Sequence, residues 1–165
     1  MKKMLLFAFL FISALAFSSE AGVKNQKTDS NSPAEKQASL PILNRWNGDY
    51  PTAQLDHFKE WPTHLHAGYF GDEAAFASFW KNFKPSTAVP RVDFSKNLVV
   101  FVRGDGSYQQ MFIAKVTLRK DIAEIVAPAN RPGSTPEDSF AMALAVIPRA
   151  GVKFLRVGNE QTAVE

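Results

Sequence analysis

Two histidines stand one residue apart in His64-Leu65-His66, and His57 lies a short way upstream. On a strand, residues two apart face the same way. Imidazoles at such positions can share a Zn²⁺ or Cu²⁺ ion, with His57 as a third ligand from the preceding segment. The competing reading is a pair of surface histidines on an edge strand, since metal sites generally need three or four ligands and the chain has no cysteine. Nucleophilic catalysis has no signature here. There is no Gly-x-Ser-x-Gly elbow, and a triad assembled from Ser107, His64 and Asp105 is a combination that any chain of this size permits. Glu137 and Asp138 are adjacent, and neighbouring carboxylates seldom face one cleft. Gly104-Asp105-Gly106 lacks the Lys-Ser/Thr and the helix that a phosphate loop needs.

Binding is better provided for. Trp46, Tyr50, Trp61 and Tyr69 fall among glycine, proline and loop residues, where aromatic side chains often stay partly exposed. Trp, Tyr and Arg are common anchors of protein interfaces, so this set forms either a contact surface or a satellite core under a loop. Arg131 sits in the long Pro128–Ser139 loop, a second candidate, since long loops in compact domains are often functional. A sheet edge could also accept an extended peptide by strand addition.

The stretch from Pro90 to Gly106, PRVDFSKNLVVFVRGDG, carries the remaining candidates. Asp93 can accept a hydrogen bond from an N–H two residues on, closing an Asx-turn. Phe94 is expected to insert into the core. Gly104 and Gly106 are expected to shape the exit turn through their tolerance of positive φ. All four read as structural.

Lys2 and Lys3, the apolar run Met4–Phe17 and the small residues that follow have the order of a secretory signal peptide. Cleavage after Ser18 or after Ala21 both fit the small-x-small rule. The expected leader is residues 1–18, too short for a membrane span, and no later stretch is apolar enough to make one. The chain of 165 residues carries 19 basic and 16 acidic side chains. Losing Lys2 and Lys3 leaves 17 against 16, so electrostatics give the exported protein no reason to bind nucleic acid or an anionic membrane. An exported chain without cysteine has no disulfides, and 14 Phe and three Trp must supply its core.

Residues 19–39 contain no aromatic and read as a flexible polar linker. A single globular domain is expected over 40–158, with a loose tail at 159–165. Within it, Leu40–Pro62 is irregular, with one short strand near Ile42–Trp46. Asp72–Phe83 is the clearest helix, its apolar stripe running through Ala75, Phe76, Phe79, Trp80 and Phe83. Strands are expected at His64–Phe70, Leu98–Val102, Gln110–Leu118, Ile122–Ala127, Phe140–Ile147 and Val152–Val157. Leu98–Val102 is apolar on both faces and should be covered on both. The fold expected is α+β, one main helix packed on an antiparallel-rich sheet of about five strands.

The order of FGDEAAFASFWKNF, VPRVDFSKNLVVFV, a hairpin and FAMALAVIPR resembles the PrcB-like C-terminal domain, a family named for a subunit of a secreted protease complex. The resemblance covers about residues 67–157. Family members often begin the strand after the central one with Gly-Tyr, where this chain reads Gly106-Ser107-Tyr108. The resemblance implies an exported domain that binds or stabilises an envelope protease, and it brings no catalytic residues. The expectation is therefore a non-enzymatic binding or accessory domain, periplasmic or extracellular, without a cofactor and with an exported protease or another envelope protein as partner. The alternatives are a Zn- or Cu-binding protein using His64 and His66, and a hydrolase without a recognisable motif.

Overall fold

A computed structural model describes residues 37–54, 67–104, 110–130 and 138–165. The elements in chain order are β1 (Gln37–Leu40), β2 (Asn44–Pro51), β3 (Ala67–Phe70), α1 (Glu73–Phe83), β4 (Asn97–Arg103), β5 (Gln110–Met111), β6 (Lys115–Arg119), β7 (Ile122–Val126), β8 (Ala129–Asn130), β9 (Ser139–Pro148), β10 (Phe154–Val157) and β11 (Glu160–Ala163). This overturns the α+β expectation of one helix on one sheet. The described residues are mostly β, 52% strand and 13% helix, and the single α-helix accompanies sheets of five, four and two strands.

The four-stranded sheet runs β2-β9-β4-β3 and is antiparallel throughout. The five-stranded sheet runs β1-β6-β7-β10-β11, with β7 and β10 parallel and the other pairs antiparallel. β5 and β8 form a short two-stranded ribbon. The two central strands of the four-stranded sheet, β4 and β9, are buried on both faces. Leu98, Val100 and Val102 of β4 and Ala141, Ala143, Ala145 and Ile147 of β9 face Val116, Ala123, Ile125 and Leu155 of the five-stranded sheet. The alternate residues Val99, Phe101, Met142, Leu144 and Val146 face α1. The near-continuous apolar runs of β4 and β9 thus belong to strands covered on both sides. The alanines of β9 face the second sheet and not the helix.

α1 forms because its apolar residues share one stripe and both ends are satisfied. Asp72 Oδ1 accepts the Ala75 N–H at 2.8 Å, and Glu73 lies in the first turn, where the helix dipole favours a negative charge. At the other end the Lys84 N–H donates to Trp80 O at 2.8 Å, and the Trp80 indole N–H donates to Thr87 Oγ1 at 3.1 Å. Phe76, Phe79, Trp80 and Phe83 are all buried against the sheet.

Four stretches differ from expectation. β1 begins inside the stretch read as linker, since Gln37–Ser39 pair with Thr117–Arg119. Asn44–Pro51 is one eight-residue strand where the sequence reads as mostly irregular. The supposed strand Gln110–Leu118 is broken after Met111. Met111, Ile113 and Val116 are buried, while Phe112 is exposed, because two residues, Ala114 and Lys115, stand opposite Val126 and shift the alternation. Residues 160–163 of the expected loose tail form β11 beside β10.

The outer face of the five-stranded sheet carries polar side-chain contacts. Gln37 Nε2 donates to Thr117 Oγ1 at 3.0 Å, and Arg156 donates to Glu124 Oε1 at 3.3 Å and Gln161 Oε1 at 2.9 Å. Among the described residues no helix is long and apolar enough to cross a membrane.

Candidate functional site

The ends of the four-stranded sheet are unlike one another. At one end, β4 is entered through a closed turn. Asp93 Oδ1 accepts the Ser95 N–H at 3.1 Å and the Ser95 hydroxyl at 2.5 Å, and Asp93 O accepts the Lys96 and Asn97 N–H groups. The Lys96 ammonium lies 3.3 Å from Asp93 Oδ2. Hydrogen bonds from Ser95, then Lys96, hold the Asp93 carboxyl below its ordinary pKa. Phe94 packs at 5.9 Å from the Phe76 ring, and the Arg149 N–H donates to Lys96 O, tying the end of β9 to the start of β4. This end is a scaffold.

At the opposite end, β2 and β4 finish and β3 and β9 begin. Thr52 N–H donates to Asp138 O at 2.8 Å, Gly104 N–H donates to Ala141 O at 2.8 Å, and Ala67 pairs with Val102. The ribbon pair Gln110–Asn130 adds the flanking residues of two further connections. Gln54 and Ala67, Gly104 and Gln110, and Asn130 and Asp138 are thus the described neighbours of the three internal stretches outside the description, 55–66, 105–109 and 131–137. His57, Trp61, His64, His66, Asp105, Gly106, Ser107, Arg131 and Glu137 lie in those stretches, outside the described residues.

The described side chains at this end include a half-buried cation on an aromatic ring. The Arg103 guanidinium sits 5.4 Å from the centroid of Phe140, which is itself half-buried. Burial pulls the Arg103 pKa below its ordinary value, and the charge of Glu160 pushes it the other way. Asp138 is exposed and Ser139 half-buried beside them. Gly104 is buried and continues the pairing with β9. Among the described residues the left-handed glycines are Gly151 at φ 78° and Gly158 at φ 55°, in the turns on either side of β10.

The aromatic set read from the sequence does not form one exposed surface. Tyr50 is fully buried, stacked on Phe79 at 5.0 Å with an interplanar angle of 3°. Burial raises its pKa above 10.0, opposed by a hydrogen bond with the Asn82 side chain. Trp46 is half-buried on the same face, 5.2 Å from Trp80 and 5.9 Å from Phe76. Tyr69 lies on the other face of the sheet, packed against the inter-sheet core, and its hydroxyl accepts the Glu165 N–H at 2.8 Å. Strand alternation separates them: Trp46 and Tyr50 stand opposite Leu144 and Phe140 on the helix side, while Tyr69 stands opposite Val100 on the inter-sheet side. Phe140 was not singled out from sequence, and Arg103 reads there only as part of the exit from β4. Their signal was the position of each near a strand end.

Among the described residues, no group of three or more His, Asp or Glu side chains is placed to hold a metal ion. No family model, no curated protein and no solved structure matches the chain.

Proposed function

We propose that the protein is an exported, non-enzymatic binding or accessory domain that recognises a protein partner through the Arg103–Phe140 end of its four-stranded sheet. The observation that carries this reading is the placement of a half-buried guanidinium on a half-buried phenyl ring where two strands finish and two begin. Arg and aromatic side chains are enriched among the anchors that carry interface energy. The sequence resemblance narrows the partner class to an envelope protease. The sequence also supplies the expected route of export, through the Lys2–Phe17 leader.

The test is crosslinked capture of the protein in its own host's envelope, comparing the natural sequence with Phe140→Ala and with Lys81→Ala, an exposed change on the outer face of α1. Truncating a central aromatic anchor costs about 2 kcal/mol or more of binding. One protein recovered with the natural sequence and with Lys81→Ala, and lost with Phe140→Ala, is the expected result. Equal recovery with all three, or recovery of nothing specific, contradicts the proposal, provided that thermal melting shows Phe140→Ala to be folded.

A further inference from the structure

Among the described residues β2 is the longest edge strand, and its outer side has no strand partner there. The phase of its ladder is fixed by the Thr52 N–H to Asp138 O bond. In an antiparallel pair, hydrogen-bonded residues alternate with non-bonded ones, so Asn44, Trp46, Gly48 and Tyr50 bond to β9. The backbone N–H and C=O groups of Arg45, Asn47 and Asp49 therefore point away from the sheet. All three side chains are exposed. Pro51 has no N–H to offer and ends this open ladder.

We propose that β2 is a homodimer edge, pairing antiparallel with β2 of a second copy about Asn47 and joining the two four-stranded sheets into one. The sequence Asn44-Arg45-Trp46-Asn47-Gly48-Asp49-Tyr50 is complementary to itself in that register. Asn47 meets its own copy, and Arg45 of each chain stands opposite Asp49 of the other, twice by symmetry. These same residues carry the outward backbone groups, so the register that matches the charges also matches the hydrogen-bonding phase. Directly opposed residues of opposite charge stabilise a strand pair, and like charges destabilise it. Trp46 falls opposite Gly48, over which the Lys84 side chain of the same protomer lies. A two-fold interface of this kind uses one patch twice and closes on itself, so it gives a dimer and not a fibre. In the single chain, Asn44 Oδ1 accepts the Arg45 N–H at 2.8 Å. That bond covers the outermost open donor and is exchanged on pairing.

The occupant is a second copy and not an unrelated peptide, because the charge order along β2 is its own complement when reversed. The experiment is sedimentation equilibrium of the protein in the form its host exports, over the full range of soluble concentration. The natural sequence should dimerise. Arg45→Glu and Asp49→Arg each place like charges across both pairs and should weaken the dimer by about tenfold or more. The double variant R45E/D49R should recover it, and the two single variants should associate with each other when mixed. Asn47→Pro removes a central donor on the open edge and should give a folded monomer, checked by circular dichroism. A natural sequence that stays monomeric at every concentration overturns the proposal. So does a dimer indifferent to the single charge reversals, or one that R45E/D49R fails to restore.

Discussion

Replacing Gly68 with alanine should destabilise the domain by about 1–2 kcal/mol, although alanine is the better residue in most strand interiors. Gly68 stands directly opposite Phe101 in the β3–β4 pair, and the Phe101 ring lies across the glycine. A Cβ built there would sit 2.6 Å from Phe101 Cε1 and closer still to Cζ, inside the distance that carbon atoms tolerate. The ring has little room to retreat. It is 3% exposed, with the Phe70 ring centroid 5.6 Å away. Overpacking a tight core costs about 1–3 kcal/mol. The lower chain entropy of the unfolded alanine variant returns about 0.4–1 kcal/mol. The central values, about 2 kcal/mol of overpacking and about 0.7 kcal/mol returned, leave the net cost stated above, and in a domain of this size about 1 kcal/mol lowers Tm by roughly 3–6 °C. Urea denaturation reads it directly as a lower midpoint with an unchanged slope. Phe101→Leu in the Gly68→Ala background should cost less than in the natural sequence, with a coupling of at least about 0.5 kcal/mol. A Gly68→Ala protein as stable as the natural one, or strict additivity in the cycle, would refute the close-approach argument.

Asp72→Ala removes the acceptor for the Ala75 N–H and should cost about 1 kcal/mol in the same urea assay, while Asp72→Asn should cost less. The lowered Asp93 pKa makes its contribution present above the ordinary carboxylate range and lost as pH falls through the folded value. A carboxyl NMR titration should therefore place the Asp93 midpoint below 3.8, and Ser95→Ala should move it upward. Tyr50 works in the opposite sense. Its raised folded pKa makes its contribution present below 10.0 and lost as pH rises through the folded value, so Tyr50→Phe should make alkaline unfolding less steep.

Local chemistry and strong periodicity were legible in the sequence. The α1 stripe and its Asp72 cap follow from spacing, and the Asx-turn at Asp93 follows from a short acceptor side chain two residues before a free N–H. The double burial of β4 follows from its unbroken apolar run. The missing strands were hidden for a shared reason. β1, β2 and β11 are sheet edges, with polar side chains on one face, so their composition resembles linker, loop and tail. β5 and β6 were merged because a two-residue irregularity at Ala114 and Lys115 cannot be seen in an alternation that carries apolar residues in both phases. The aromatic set of Trp46, Tyr50 and Tyr69 failed as one surface because sequence proximity does not say which face of a sheet a residue takes. That assignment needs the register, and the register is set by β4 and β9, far along the chain. The same register brought Arg103 and Phe140 together from separate segments, a pairing that no local pattern announces.

The central claim is recognition of a protein partner at the Arg103–Phe140 end, and site-specific photocrosslinking in the host tests it most directly. A photoreactive side chain would replace Phe140 or Asp138 at that end, and Ser78 or Lys81 on the exposed face of α1. The account predicts a discrete adduct with one protein from positions 138 and 140, and none from 78 and 81. Adducts of the same partner from the helix positions, or none from positions 138 and 140, would contradict it.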